Sequence, residues 1–209
     1  SGPDFGSNLM PVLAPVKAAL LYGEGVRVTE AAGIRYAVDM NFRQPLTLLD
    51  FDQAVRVDLS DYTHILIADG FYSTHNNLAE DLQTFVRGGG IIIAQKSGAS
   101  WVENAVLELQ KEEPSKPETG KDGPVRRAYL DYEQARGKSI VGGVPLWGEA
   151  DLTHPLLYGM NRARLPLFYN GRTLLQEPPI SYDAPLVFTK DKDLLITGYA
   201  DESRLKDIR

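Results

Sequence analysis

The stretch that decides the fold is residues 85–102, which read FVRGGGIIIAQKSGASWV. Glycines 88–90 interrupt an amphipathic helical pattern, and the apolar run Ile-Ile-Ile-Ala at 91–94 follows at once. A short, continuous apolar run is typical of a strand that is buried on both faces of a parallel sheet. We therefore predict a helix, a buried strand and a sharp turn into another helix, with Lys96-Ser97-Gly98 at the tip of the turn.

The first half of the chain repeats this alternation. Apolar, strand-like runs occupy residues 16–22, 46–49 and 64–68, and amphipathic helical patterns follow the first and third of them, at 29–41 and 76–87. Strands that alternate with helices are typical of a doubly wound α/β fold with a mostly parallel sheet. Because ligands bind at the carboxyl ends of the strands in such sheets, functional residues are expected in the turns that follow each strand.

The second half of the chain has a different pattern. Residues 111–127 carry prolines and glycines among charges without apolar periodicity, which predicts an exposed, mobile insertion. Strand-like segments return at 144–150, 165–169, 174–175, 186–189 and 194–199, and they predict a β-rich carboxyl-terminal extension. The chain stops soon after the last of them with no closing helix expected, so we interpret it as a fragment of a longer protein.

Composition excludes several classes of function. The net charge of −6 disfavours nucleic-acid binding, because phosphate recognition needs a basic field. No apolar run approaches the roughly 20 residues of a membrane-spanning helix. The chain has no cysteine, which excludes disulfides and cysteine nucleophiles, and none of its three histidines lies in a His-x-x-Glu arrangement. We therefore expect no metal and no cofactor in this chain.

Two turns invite a ligand-binding interpretation. Gly23 and Gly25 flank Glu24 after the first strand, but Val28 stands where a dinucleotide fingerprint needs its third glycine. We therefore assign the two glycines to turn geometry. Asp69 ends the third strand, where receiver domains carry their phosphate acceptor, yet only Glu24 is available near the first strand to hold magnesium. Asp69 is accordingly predicted to be a turn residue.

The turn after the glycine-rich strand leaves three interpretations open. Ser97 is a candidate nucleophile, although Gln95 and Ala99 replace the glycines of a Gly-x-Ser-x-Gly elbow. Lys96 is a candidate nucleophilic amine if it is desolvated. In the third interpretation, which we favour, the turn is a helix amino terminus that Ser97 or Ser100 caps.

Five segments, taken in order, resemble one known family. They are residues 19–26, 44–50, 58–65, 85–94 and 151–159. Together they are similar to the class I glutamine amidotransferase-like domain at the carboxyl end of certain large bacterial zinc carboxypeptidase-like proteins. The resemblance implies a flavodoxin-like domain over residues 16–209, with residues 1–15 as a leader or linker.

The resemblance also implies a set of site residues. In active class I amidotransferases the elbow after the glycine-rich strand carries a cysteine nucleophile, and Lys96 occupies that place here. Glu24 matches the acid that neighbours the nucleophile in a related branch of the superfamily. His154-Pro155 is similar to the superfamily's His-Pro pairs, although we predict that His154 is a buried, hydrogen-bonded structural residue. The implied site is a degenerate elbow and cleft composed of Gly23, Glu24, Asp69, Lys96, Ser97, Gly98 and His154.

Without a cysteine, glutaminase chemistry is ruled out even on this scaffold. The resemblance implies a non-catalytic accessory domain of a periplasmic or secreted protein, acting in substrate positioning, partner binding or interdomain packing. Its partners would be other domains of the same polypeptide or a peptide or small molecule, and zinc would lie only in a separate peptidase domain. Two alternatives stay open: a cryptic hydrolase or small-ligand enzyme using Glu24, Asp69, Lys96 and Ser97 around the cleft, and a carbohydrate- or peptide-binding module.

Overall fold

A computed structural model of the chain describes residues 15–108, 128–131, 133, 137–138, 141–171, 173–174, 178 and 180–208. The predicted leader, apart from Pro15, and the predicted insertion at 111–127 lie outside these residues. The chain divides into two compact units, residues 1–113 and 114–209, and each unit has its own sheet. No helix among the described residues is long and apolar enough to cross a membrane.

The first unit contains a four-stranded parallel sheet. Its strands are β1 (Ala18–Tyr22), β2 (Leu46–Asp50), β3 (His64–Ile67) and β4 (Ile91–Ala94), in the order β2-β1-β3-β4. The predicted α/β class and the parallel pairing are confirmed. Since β2 lies on one side of β1 and β3 on the other, the connections diverge between β1 and β3, and a crevice is expected there at the carboxyl edge.

Four helices follow these strands. They are α1 (Val28–Arg35), α2 (Phe51–Ala54), α3 (Ala79–Arg87) and α4 (Ser97–Trp101). Segments of π-helix extend α1 through Tyr36–Asn41 and α4 through Val102–Val106. Single 3-10 turns lie at Leu59–Asp61 and Asn76–Leu78. The sequence did not predict α2, a one-turn helix that Asp50 caps by accepting a hydrogen bond from the Asp52 N–H at 2.9 Å.

The two faces of the parallel sheet bury alternate residues of β1 and β3. Leu21 and Ile67 are fully buried on the face that α3 and α4 cover, and Leu20 and Leu66 are buried on the face that α1 covers. Each such side chain contributes about 1.5–3 kcal/mol through removal from water. Burial on both faces explains why the runs in these strands are continuously apolar.

The prediction that β4 is a buried strand is wrong. Ile91 and Ile93 are 49% and 52% exposed. Ile93 lies in register with the buried Leu66 of β3, so both face the α1 side of the sheet. Helix α1 covers the central strands β1 and β3, whereas β4 lies at one of the two edges of the sheet in the described part of the chain. The apolar run therefore identified a strand but not its position in the sheet.

The second unit contains a three-stranded antiparallel sheet. Its strands are β5 (Val141–Ala150), β6 (Arg164–Gly171) and β7 (Leu186–Phe188), in the order β6-β5-β7. Single 3-10 turns lie at Tyr129–Asp131, Pro155–Leu157 and Ser181–Asp183, and the helix α5 spans Glu202–Ile208. The buried core of this unit comprises Val141, Val144, Leu146, Tyr169, Leu194, Leu205 and Ile208.

Two expectations for the second unit are corrected. Residues 194–199 form no strand and contribute only an isolated bridge between Leu195 and Leu146. A closing helix is present, because α5 buries Leu205 and Ile208 in the core. Its apolar residues lie at i and i+3 within only seven residues, a helical signal too short to stand out from the strand-like runs before it. Of the predicted strand at 174–175, residue 175 lies outside the described residues.

Candidate functional site

Lys96 is the point at which the chain turns from β4 into α4, and its backbone conformation is unusual. Its φ of 52° and ψ of −126° place a non-glycine residue in a region that favours glycine. These angles are those of the first central residue of a type II′ turn, and such strain costs on the order of 1–3 kcal/mol. A strained strand-to-helix turn is the geometry of a nucleophile elbow, which here carries an ammonium group.

The Lys96 side chain is held by an acid from another turn. Its Nζ lies 2.7 Å from Oε1 of Glu30, in the first turn of α1, and both side chains are 28% exposed. An ion pair of this partial exposure contributes up to about 1 kcal/mol. A protonated amine has no lone pair with which to attack a substrate, so this pairing opposes the interpretation of Lys96 as a nucleophile.

The Ser97 hydroxyl is hydrogen-bonded to Asp69 and Gly70, in the loop that follows β3. Its Oγ donates to Oδ1 of Asp69, lies 2.6 Å from the carbonyl oxygen of Gly70 and accepts the Gly70 N–H at 2.9 Å. A hydroxyl has one proton, which the two acceptors share between them, and the Gly70 N–H takes one of its lone pairs. No histidine is among these partners, so the set is not a serine–histidine pair, and its one basic group is the Asp69 carboxylate, which also binds Arg27.

The prediction that Ser97 or Ser100 caps α4 is wrong, although the turn is a helix amino terminus. Lys96 is the residue at the cap position, and its own side chain forms no capping hydrogen bond, whereas Oδ1 of Asp69 accepts the Ser97 N–H at 3.3 Å. Ser97 is the first helical residue, and its hydroxyl reaches across to β3 because α4 begins directly beside that strand. Gly98 permits this approach, since a Cβ there would lie 2.3 Å from the carbonyl oxygen of Ala68.

Asp69, two residues after the end of β3, connects two turns. Its Oδ2 lies 3.1 Å from Nε of Arg27, and its carbonyl oxygen accepts the Arg27 N–H at 2.9 Å. The Asp69 side chain is only 14% exposed, and the Arg27 guanidinium lies over the Phe71 ring at 5.6 Å. Asp69 therefore links the turn after β1 to the turn after β4 through Arg27 and Ser97.

The turn after β1 depends on its two glycines. Gly23 and Gly25 have φ of 113° and 84°. A Cβ at Gly25 would lie 2.3 Å from the carbonyl oxygen of Phe71, and a Cβ at Gly23 would lie 2.6 Å from a carboxylate oxygen of Asp50. Turn geometry thus accounts for both residues without a bound nucleotide.

Glu24, the acid that the resemblance places beside the elbow, is not the acid that binds Lys96. Its side chain is exposed and forms no hydrogen bond or ion pair with any residue that the structure describes. Only its carbonyl oxygen is bound, at 2.9 Å from Nε2 of His75. The acid on Lys96 is Glu30, six residues further along the chain.

A buried aromatic cluster packs against the turns that follow β1 and β3. His75 is 9% exposed and stacks on Phe51 with ring centroids 4.0 Å apart. Tyr72 and Trp101 complete the cluster, with centroids 5.3 Å apart. Burial raises the pKa of Tyr72, and the Asp69 carboxylate raises it further, so the phenol remains a proton donor at neutral pH. The cluster therefore anchors the loop after β3, which carries Tyr72 and His75, to Phe51 and Trp101.

The second unit places His154 in a local structural role. Its Nδ1 accepts the Leu156 N–H at 3.2 Å, which caps the turn Pro155–Leu157. The residue is partly exposed rather than buried, so that part of the prediction is wrong. Hydrogen bonds from Thr153 hold the pKa of the neighbouring Asp151 below its ordinary value. The geometry therefore shows His154 as a capping residue of the second unit.

Sequence reasoning missed Arg27, Glu30 and His75. Arg27 and His75 lie in the turns after β1 and β3, and Glu30 lies in the first turn of α1, but none lies in a motif. The available signal was weak: Arg27 and Glu30 flank the predicted start of α1, where charged side chains at a strand end can reach a neighbouring turn. Glu30 also lines a cleft of about 350 Å³, together with Thr29, Gly33, Ile34, Ala37 and Gln95. Among the residues described, no group of three or more acidic or histidine side chains is arranged to hold a metal ion.

No protein-family model matches this chain, and no curated protein and no solved structure is significantly similar to it. The site is therefore defined by its own geometry. It is a strained strand-to-helix elbow at the carboxyl edge of a parallel sheet, with its lysine bound to Glu30 and its serine bound to Asp69.

Proposed function

We propose that the chain is a non-catalytic, flavodoxin-like accessory domain of the amidotransferase-like kind, within a larger periplasmic or secreted zinc carboxypeptidase-like protein. The strand order β2-β1-β3-β4 supports the fold, because it is the flavodoxin order up to the fourth strand. The resemblance of residues 16–199 supports the parentage. Substrate positioning, partner binding or interdomain packing would be its role, and zinc would be held by a separate peptidase domain.

The observation that carries this proposal is the ion pair at the tip of the elbow. Lys96 retains the strained backbone of a nucleophile position, but Glu30 binds its ammonium group. The neighbouring hydroxyl of Ser97 is hydrogen-bonded to Asp69 and Gly70, after β3. Together with the Arg27–Asp69 ion pair, these bonds connect the turns after β1, β3 and β4 at the carboxyl edge of the sheet. Such a network favours a rigid surface over a reactive one.

An activity assay tests the non-catalytic part. The purified chain is incubated with glutamine, with p-nitrophenyl acetate and with a fluorophosphonate probe that labels reactive serines. We expect no turnover above the uncatalysed rate and no label on Ser97. Turnover that Lys96→Ala or Ser97→Ala abolishes, while the matched Ser100→Ala variant keeps it, would refute the proposal.

The accessory role is tested separately, on the gene. The proposal expects the reading frame of this chain to encode, upstream, a peptidase domain with a His-x-x-Glu motif and a secretion signal. A frame that encodes this chain alone would contradict the accessory role, even if the chain proved inactive. The two tests can therefore fail independently.

A small-ligand-binding module is the second candidate, and the 350 Å³ cleft beside Glu30 favours it. A carboxylate ligand would compete with Glu30 for the Lys96 ammonium group. Succinate, followed through the amide signals of Gly33 and Gln95, tests this idea. Tighter succinate binding is expected in Glu30→Gln, because the competing acid is removed, and none in Lys96→Met. Equal binding by both variants would count against a site at this ion pair.

A further inference from the structure

A second cavity opens at the amino-terminal edge of the parallel sheet, opposite the elbow. Its volume is about 570 Å³, and its lining residues all lie between positions 55 and 90, in the first unit. The walls are the segment that leads into β3, one face of α3 that carries Asp81, Thr84 and Phe85, and the three glycines before β4. This volume falls within the roughly 300–1,000 Å³ that small-molecule sites occupy.

Part of the lining is apolar. Leu59 and Phe85 are 5% and 6% exposed, and Val57 is 43% exposed, so the cavity passes from a buried floor to an open rim. The Phe85 ring lies against Gly90, where a Cβ would come within 2.3 Å of it. Gly89, with φ of 94°, has nothing within 4 Å of its Cβ position. The glycines therefore let Phe85 form the floor and leave one wall without side chains.

The charged groups of the lining all have one sign. Asp58 and Asp81 line the cavity, and no lysine, arginine or histidine does. Asp58 accepts the Ser60 N–H at 2.9 Å through Oδ1. Asp81 forms no hydrogen bond or ion pair with any described residue.

Two further effects keep this region negative. Hydrogen bonds from the Ser60 side chain and backbone hold the pKa of Asp58 below its ordinary value, so its carboxylate is ionised at neutral pH. The carboxyl end of α3, which carries a partial negative charge, forms one wall. Arg87 lies in the last turn of this helix and Arg56 precedes Val57, but neither lines the cavity.

We propose that this cavity binds a small organic cation, an amine or an amidinium with an apolar body. The body would lie above the floor and against Val55, Val57 and Tyr62, the apolar lining residues that keep exposed surface, where burial of that surface is favourable. The cationic group would lie near Asp58 and Asp81, whose charge attracts it and repels an anion of the same shape. The elbow takes no part in this site, so the inference is independent of the proposed function.

Three probes of similar shape test the charge requirement. Benzamidine carries an amidinium, benzamide is its neutral counterpart and benzoate is its anionic counterpart. Each is titrated into the ¹⁵N-labelled full chain, and the amide signals of Gly88, Gly89 and Gly90 are followed, since these residues line the cavity. We expect saturable shifts with benzamidine, at least about fivefold weaker binding of benzamide and no binding of benzoate.

A charge-removing variant tests the two acids. Asp58→Asn/Asp81→Asn should weaken benzamidine binding about tenfold, because two partly solvated charge interactions are lost. Asparagine can still accept the Ser60 N–H, so the turn at Leu59–Asp61 is retained. Asp61→Asn is the matched control, since Asp61 belongs to the same turn but does not line the cavity, and it should bind benzamidine as the parent chain does.

Three results would overturn the proposal. They are equal binding of benzamide or benzoate, shifts confined to residues outside 55–90, and a double variant that binds as tightly as Asp61→Asn. The comparison of the three probes needs only the unaltered chain. The proposal therefore stays testable even if the double variant does not fold.

Discussion

Replacement of Gly98 by alanine should destabilise the first unit, and replacement of Gly33 should not. A Cβ at Gly98 would lie 2.3 Å from the Ala68 carbonyl oxygen and 3.0 Å from the Ile67 side chain. Relief of such a clash requires α4 to move away from β3, and overpacking of this kind costs about 1–3 kcal/mol. Gly33 lies within α1, and nothing lies within 4 Å of its Cβ position, so alanine there should stabilise by about 0.5–1 kcal/mol.

Urea unfolding measures both changes. The chain has two tryptophans, Trp101 in α4 and Trp147 in the second unit. In a Trp147→Phe background, Trp101 fluorescence therefore reports the first unit alone. Gly98→Ala should lower the urea midpoint and Gly33→Ala should raise it, with unchanged slopes. If Gly98→Ala were as stable as the parent, the close approach of α4 to β3 that places Ser97 beside Asp69 would be refuted.

Three further perturbations address the elbow and the second unit. Ser97→Ala should destabilise the first unit by about 1–3 kcal/mol, because the buried Gly70 N–H loses its acceptor, whereas Ser100→Ala should change the free energy of unfolding by less than about 0.5 kcal/mol. Both are measured by Trp101 fluorescence in urea. Lys96→Gly should be about 1 kcal/mol more stable than Lys96→Ala in the same assay, since both lose the Glu30 ion pair but only glycine relieves the strain. Asp151→Asn should flatten the acid side of the stability profile of the second unit, followed by urea unfolding and the amide signals of β5. The folded pKa of Asp151 lies below its ordinary value of 3.8, so its contribution is present above that value and is lost as the pH falls through the lower, folded pKa.

Each of these outcomes has a contrary result. Equal destabilisation by Ser97→Ala and Ser100→Ala would mean that the contact with Gly70 is energetically irrelevant. Equal stability of Lys96→Gly and Lys96→Ala would mean that the backbone at the elbow is unstrained. A parallel pH profile for Asp151→Asn and the parent chain would mean that the Thr153 hydrogen bonds persist in the unfolded chain.

The helices and strands of the first unit could largely be predicted. The apolar runs of β1 and β3 are continuous because both faces of these strands are buried, and α3 shows a clear amphipathic period. The exposure of β4 could not be predicted, because a run of isoleucines reads the same in an edge strand as in a central one. The helix α5 was missed because two buried residues in seven give too short a period.

The sequence predicted where in the fold the residues of the candidate site lie, but not which of them are in contact. The turns that carry Gly23, Asp69 and Lys96 were expected at the carboxyl edge of the sheet, because parallel strands end together there. Which charges pair could not be read from the sequence. Lys96 binds Glu30, which lies 66 positions earlier in the chain, and not Glu24, the acid that the resemblance indicated.

The sequence by itself determined the α/β alternation, the sharp turn after the glycine-rich strand and the lack of any cysteine to act there. These are local properties, set by apolar period, glycine and residue type. Only the tertiary structure decided that Lys96 has a strained backbone, that Glu30 binds its ammonium group and that Ser97 is bonded to β3. The physical reason is that β1 and β4 are separated by β3 in the sheet, so the meeting of their turns depends on strand order and helix placement.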